Sequence, residues 1–212
     1  MQWTLVIPLK PLARAKSRLA DTAADGVRPS LALAFAQDTV AAALACESVK
    51  DVAVVTDDTL AGRELSALGA RIVPDTPAGG LNAALRHGAA AVRAARPESP
   101  VAALNADLPA VRPLELARVL GAATEFPRAF LPDAAAIGTT LLAAVPGEEL
   151  APAFGPDSRA RHAASGAAEL RLVGVDSVRQ DVDTGADLRA ALALGVGPRT
   201  AAVAARLLIP DQ

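Results

Sequence analysis

Residues 3–20 read Trp3-Thr4-Leu5-Val6-Ile7-Pro8-Leu9-Lys10-Pro11-Leu12-Ala13-Arg14-Ala15-Lys16-Ser17-Arg18-Leu19-Ala20, and the break at Pro8 decides the fold class. The apolar run from Trp3 to Ile7 has the length and composition of a buried first strand. Pro8 stops it, because proline has no N–H to give to a ladder. Four cations follow at once: Lys10, Arg14, Lys16 and Arg18. In open α/β sheets, ligands bind just outside the carboxyl ends of the strands. Lys10, Lys16 and Arg18 can therefore gather around a polyphosphate, with backbone N–H groups helping. A solvated basic turn is the plain alternative. Neither GxGxxG nor GxxxxGK[ST] occurs at this point, which speaks against a dinucleotide dehydrogenase and a P-loop NTPase.

Outward from this strand, short β-like runs alternate with longer helix-like ones. Strands are expected at 51–56, 71–73, 101–105, 128–131, 139–144 and 170–175. Helices are expected at 29–46, 60–68, 81–95, from Pro113 onward, around 160–164, and at 187–194 and 199–208. Such alternation is the signature of an α/β fold with a mostly parallel sheet. A chain of 212 residues fits one domain, 1–212, with a sizeable core. Aromatic residues make up only 2% and tyrosine is absent, so the core has to be built from Ala, Val, Leu and Ile.

Composition also excludes. The net charge of −2 and the lack of a basic tail argue against a nucleic-acid partner, which requires a dense Lys/Arg surface. A nucleotide needs only a few local cations. Cys46 is the single cysteine, so no intrachain disulfide or four-cysteine zinc site can form. It reads as a small buried hydrophobe. No apolar stretch is long enough to span a bilayer, so no membrane is expected. The first residues lack the layout of a signal peptide, and the cytoplasm is the expected location.

Three further groups bear chemistry. Gly79-Gly80-Leu81-Asn82 opens a helix. Its glycines permit close backbone approach to a flat base, and the Asn82 amide can read the base edge; an ordinary helix entry is the alternative. Asp107 ends an apolar strand, and Asp181 and Asp183 are placed near the end of another. Strand-end carboxylates with triphosphate oxygens make the oxygen-rich shell that Mg²⁺ prefers. Asp181 and Asp183 are two apart, so on an extended segment they point the same way. Gly138-Thr139-Thr140 and Phe154-Gly155-Pro156-Asp157-Ser158 offer small hydroxyls and glycine amides that can hold a phosphate or carboxylate. Asp157 or Ser158 can equally just start the next helix. His87 reads as plain surface, and His162 lies near this second loop.

Together these strings resemble the CofC/FbiD family of guanylyltransferases of deazaflavin coenzyme biosynthesis. The matching pieces are PLKPLARAKSRLA at 8–20, VVTDD at 54–58, GGLNAAL at 79–85 and NADLPA at 105–110. They continue with GTT at 138–140, FGPDS at 154–158 followed by Arg161-His162, and DVDTGADL at 181–188. The resemblance implies a Rossmann-like nucleotidyltransferase fold, a three-layer sandwich around a mostly parallel mixed sheet. It implies Mg²⁺ on Asp107 and on Asp181 or Asp183, and triphosphate contacts from Lys10, Lys16 and Arg18. Lys16, Arg18 and Asp107 are then the catalytic residues. Gly80 and Asn82 lie near the guanine, and Thr140, Gly155 and Ser158 hold the phospho-acid. Two departures from the family pattern are the alanines within DAAAIG at 133–138 and Gly185 after DVDT.

The expected partners are thus GTP and a small phosphorylated three-carbon acid. Phosphoenolpyruvate comes first, then 2-phospho-L-lactate and 3-phospho-D-glycerate, and a labile product suggests handover to the next pathway enzyme. A related nucleotidyltransferase acting on a pterin or sugar phosphate, and a non-catalytic nucleotide-binding module, are the competing readings.

Overall fold

A computed structural model describes residues 1–14, 26–76 and 78–207. Seven strands form one sheet: β1 (Trp3–Pro8), β2 (Val49–Val55), β3 (Arg71–Val73), β4 (Val101–Leu104), β5 (Arg128–Pro132), β6 (Thr139–Ala144) and β7 (Ala168–Glu169). Their order across the sheet is β3-β2-β1-β4-β6-β5-β7. Only β6 runs against its neighbours, antiparallel to both β4 and β5. The remaining pairs are parallel.

Strand alternation divides the core into two apolar layers. Leu5, Ile7, Val52, Val54, Ala102, Leu104, Leu131 and Leu141 face α1 (Arg28–Leu44), α2 (Thr59–Ala67) and α4 (Pro113–Ala123). Val6, Ala53, Val55, Val101, Ala103, Phe130 and Leu142 face the other way, toward α3 (Leu81–Ala95). Strict period-two switching of this kind is what a strand buried on both faces produces. The result is the α/β fold with a mostly parallel sheet that the alternation of elements predicts, in the three-layer sandwich that the resemblance implies. Small residues keep the layers close, with Ala32, Ala36 and Ala43 buried on α1 and Ala84 and Ala89 on α3. Cys46 is buried among them.

The remaining helices are α5 (Ser158–Ala164), α6 (Asp176–Arg179), α7 (Gly185–Leu194) and α8 (Pro198–Leu207). A third cluster joins Leu31 and Phe35 of α1 to Val182, Leu188 and Ala191. Buried Asp38 accepts the N–H of Thr200 at 2.7 Å and seats the first turn of α8 on α1.

One expected strand is corrected. Residues 170–175 are not a strand; the edge strand is only Ala168–Glu169. Its parallel partner β5 ends in Pro132, which has no N–H with which to continue the ladder. The last bond runs from Leu170 N to Phe130 O at 2.9 Å. The chain then leaves the sheet, Val173 is 85% exposed, and Gly174 turns at φ +67°.

Candidate active site

Strand polarity assembles the site. β1, β4 and β5 run one way and β6 the other, so three carboxyl ends and the amino end of β6 share one edge. A cleft of about 680 Å³ opens there. Pro8 to Lys10 enter it from β1, Asn105 to Asp107 from β4, Asp133 from β5, and Gly138 and Thr139 from β6. Leu81 of α3, the Phe154–Ser158 loop, Asp181 and Asp183 complete the lining.

The three acidic residues line one cleft, and the two loops that carry them are tied by their backbones. Val182 N–H donates to the Asp107 carbonyl at 3.1 Å. Val182 is fully buried beside Leu188, which leaves Asp181 and Asp183 on either side of it against the cleft. Their segment is a turn between α6 and α7, not the end of a strand as expected. Thr184 caps α7 in a reciprocal capping box with Asp187. One Asp187 oxygen, Oδ2, receives Asp183 N, Thr184 N and Thr184 Oγ1 at 3.1, 2.7 and 2.8 Å. The DVDTGAD string is therefore a carboxylate-presenting turn built on a helix cap. Among the described residues, no group of three or more His, Cys, Asp or Glu side chains has the arrangement of a self-sufficient metal cage. A carboxylate pair facing an open cleft instead suits Mg²⁺, which typically takes one or two protein carboxylates and completes its shell with water and phosphate oxygens.

Near the basic segment, the VVTDD string has a mechanical role. Asp58 Oδ2 accepts Leu12 N–H at 2.8 Å while its Oδ1 caps α2 through Ala61 N at 3.0 Å. Asp57 Oδ1 accepts Asp75 N–H at 2.9 Å. These two carboxylates anchor the start of the basic segment and the approach to Gly79-Gly80. Lys10 reaches the cleft; Lys16 and Arg18 lie outside the described residues. Gly80 holds φ +86° at the N-cap of α3, a conformation that penalises any side chain.

Asn82 does something the sequence did not suggest. Its amide pairs with the backbone of Phe154, Nδ2 donating to the carbonyl at 2.9 Å and Oδ1 accepting the N–H at 2.8 Å. The side chain placed near the guanine is tied to the opposite loop. That loop turns through Gly155 at φ +120° and Asp157 at φ +53°, and Ser158, 2% exposed, opens α5.

Thr140 also differs from expectation. The β5–β6 register slips so that Leu131 faces Leu141 while Pro132 faces Thr139, leaving Thr140 as an extra residue. Bulges of this type re-aim side chains near active sites. Thr140 is fully buried, and its hydroxyl has no hydrogen-bond partner among the described residues. Its neighbour Thr139 lines the cleft. Asp133, also outside the expected set, accepts Ile137 N and Gly138 N at 2.9 Å each. A Cβ on Gly138 would meet Asp133 Oδ2 at 2.5 Å, so glycine permits this closed turn.

His162 is fully buried, touching Phe130 at 5.7 Å and Phe154 edge-on at 5.0 Å between ring centroids. Its Nε2 accepts Ala153 N–H at 3.0 Å, and its Nδ1 lies 2.9 Å from Thr139 Oγ1. Burial, with Arg128 and Arg161 adding to it, pushes its pKa down to about 4. His87, by contrast, is half-exposed, as expected.

A stability prediction follows from that depressed value. Unfolding frees His162 to take a proton at its ordinary 6.5, so the unfolded state binds more protons between 6.5 and about 4. The His162 contribution should be complete above 6.5, shrink as pH falls through this window, and stay constant below it. The expected loss is on the order of 3 kcal/mol. Urea unfolding of the wild type and His162→Gln across the window measures it; parallel curves would contradict it.

An α/β sandwich with Asp107, Asp181, Asp183 and Lys10 lining one cleft at the strand ends has the architecture of a nucleotidyltransferase fold. A nucleotidyl transferase from Methanothermobacter thermautotroptrophicus superposes with a TM-score of 0.66 at 23% identity, covering 91% of this chain and 97% of that one. A Mycobacterium tuberculosis protein solved in complex with manganese has a TM-score of 0.54 at 21% identity, with coverages of 91% and 99%. The family model described as guanylyl transferase CofC like matches residues 3–201, and the chain belongs to that family. The phosphoenolpyruvate guanylyltransferase of Streptomyces coelicolor is 82% identical over 212 residues, the whole of both chains.

Proposed function

We propose that this chain transfers the guanylyl group of GTP to phosphoenolpyruvate and releases pyrophosphate, within one domain. The observation that carries the proposal is the convergence of Asp107, Asp181 and Asp183 on the cleft that also holds Lys10 and the Phe154–Ser158 loop. The relative bearing that name, 82% identical over the whole of both chains, supports the choice of acceptor. The product is an enolpyruvoyl diphosphoguanosine, and the deazaflavin coenzyme pathway is its proposed destination. Because it is labile, its handover to the next enzyme is part of the same reading.

The acceptor phosphate is ionised near neutral pH, so its oxygen attacks the α-phosphorus of GTP without a general base. A P–O bond forms there as the bond from that phosphorus to the oxygen bridging to the β-phosphate breaks. The electron pair leaves with pyrophosphate. The work left to the protein is in-line placement and charge neutralisation. Lys10, Lys16 and Arg18 are assigned to the triphosphate, Gly80 to the base end, and Gly155 and Ser158 to the acid. Thr140 serves the acid through its position beside the cleft, with Thr139 presenting the hydroxyl. Asp107 with Asp181 or Asp183 would hold Mg²⁺, which when bound polarises the phosphoryl oxygens and lowers the cost of their developing charge.

Purified protein given GTP, Mg²⁺ and phosphoenolpyruvate should release pyrophosphate, measured alongside 2-phospho-L-lactate and 3-phospho-D-glycerate. Faster release with either of those reassigns the acceptor. Release only with a pterin or sugar phosphate overturns the proposal.

A further inference from the structure

We infer that Asn82 and His162 are positioning residues for the acceptor: from two different helices they fix the Ala153–Phe154 backbone, which sets the Gly155–Ser158 turn. This rests on the reading that the turn receives the phospho-acid. The segment between β6 and α5 has no ladder of its own to hold it, yet Phe154 is 6% exposed. Its backbone needs partners. Asn82 supplies two at Phe154, and His162 supplies one at Ala153.

The chemistry of each tie constrains the residue. A backbone N–H only donates, so the Ala153 bond requires a lone pair on Nε2. His162 is therefore the neutral tautomer protonated at Nδ1, and it donates to Thr139 Oγ1. Thr139 accepts that bond and keeps its own O–H to donate elsewhere. One imidazole thus sets both the loop and the hydrogen-bond polarity of Thr139, a residue of the cleft lining. A carboxamide at position 82 is required likewise, because it must donate to the C=O and accept from the N–H of one residue, Phe154. Carboxylate or alkyl side chains cannot do both.

The test separates the two substrates by steady-state kinetics on the full-length protein. Asn82→Ala and His162→Ala should raise the KM for phosphoenolpyruvate roughly tenfold or more, with the KM for GTP within about twofold of wild type. Asn82→Asp should behave like Asn82→Ala. His162→Gln returns an acceptor oxygen toward Ala153 N–H and should recover most of the loss, whereas His162→Asn, reaching only toward Thr139, should not. Should the alanine variants melt early, the Asn82→Asp and His162→Gln pair carries the same comparison in folded protein. A raised KM for GTP with that for the acceptor unchanged would place Asn82 at the base and overturn the inference. Unchanged constants for both substrates would do so as well. Ser158→Ala tests the underlying reading separately. If it leaves the acceptor KM unchanged while pyrophosphate release continues, the turn does not receive the acid, although guanylyl transfer stands.

Discussion

Asp107→Ala should lower turnover by about a thousandfold while the protein still folds. Asp107 lines the cleft just beyond the carboxyl end of β4. The Mg²⁺ that Asp107 is proposed to hold would counter charge that develops in the transition state, so removing the carboxylate strikes kcat and not only binding. The tie that places the residue is a backbone one, from Val182 N to Asp107 O at 3.1 Å, and alanine retains it. The cooperative melt should therefore persist. Asp107→Asn, which keeps shape but not charge, should be nearly as inactive, since a neutral amide is a poor Mg²⁺ ligand. Pyrophosphate release under saturating substrates measures both variants. Retention of a tenth of the activity by Asp107→Ala would remove it from the metal site.

The second large effect is on stability. Gly88 lies at the middle of α3, where it crosses β1 and β2. A Cβ built there would come within 2.5 Å of Val6 Cγ1 and 2.6 Å of Val55 Cγ2. Both valines are buried on central strands, 0% and 1% exposed, and β-branched side chains have little rotamer freedom with which to yield. Gly88→Ala sets a helix-propensity gain of about 1 kcal/mol against an overpacking cost of about 1–3 kcal/mol, so a modest net loss is expected. Gly88→Val has no such offset and should cost about 3 kcal/mol or more. A natural domain holds only about 5–15 kcal/mol in all. Gly121 is the contrasting case, on α4 with nothing within 4 Å of an added Cβ. Gly121→Ala should stabilise by about 0.5–1 kcal/mol. Urea midpoints of the three variants decide it; a neutral Gly88→Val would mean that α3 can move off the sheet at little cost.

Much of the site was legible because its parts are local. The apolar run before Pro8 and the carboxylate at Asp107 announce themselves within a few residues, whereas the DVDT string, which reads as a strand end, is a turn between α6 and α7. Other parts had no local signal. Asn82 read as a base contact because a helix-opening amide beside two glycines is built like one; nothing in the sequence signals its hydrogen bonds to Phe154, 72 residues away. Thr139 and Thr140 could not be told apart, because the bulge that turns one of them to the cleft is a property of the pairing with β5. His162 carried no sign of its buried, neutral state, since burial is decided by Phe130 and Phe154 packing around it.

Chain order and side-chain chemistry by themselves determined that this is an α/β protein with anionic and cationic groups gathered at strand ends. Periodicity is written in neighbouring residues, and so is the punctuation by proline and glycine. What only tertiary structure decided is which side chains spend their hydrogen bonds on the protein and which keep them for substrate. That division depends on partners distant in sequence. It is settled by strand register, by the antiparallel insertion of β6, and by the close approach of loops whose ends belong to different layers.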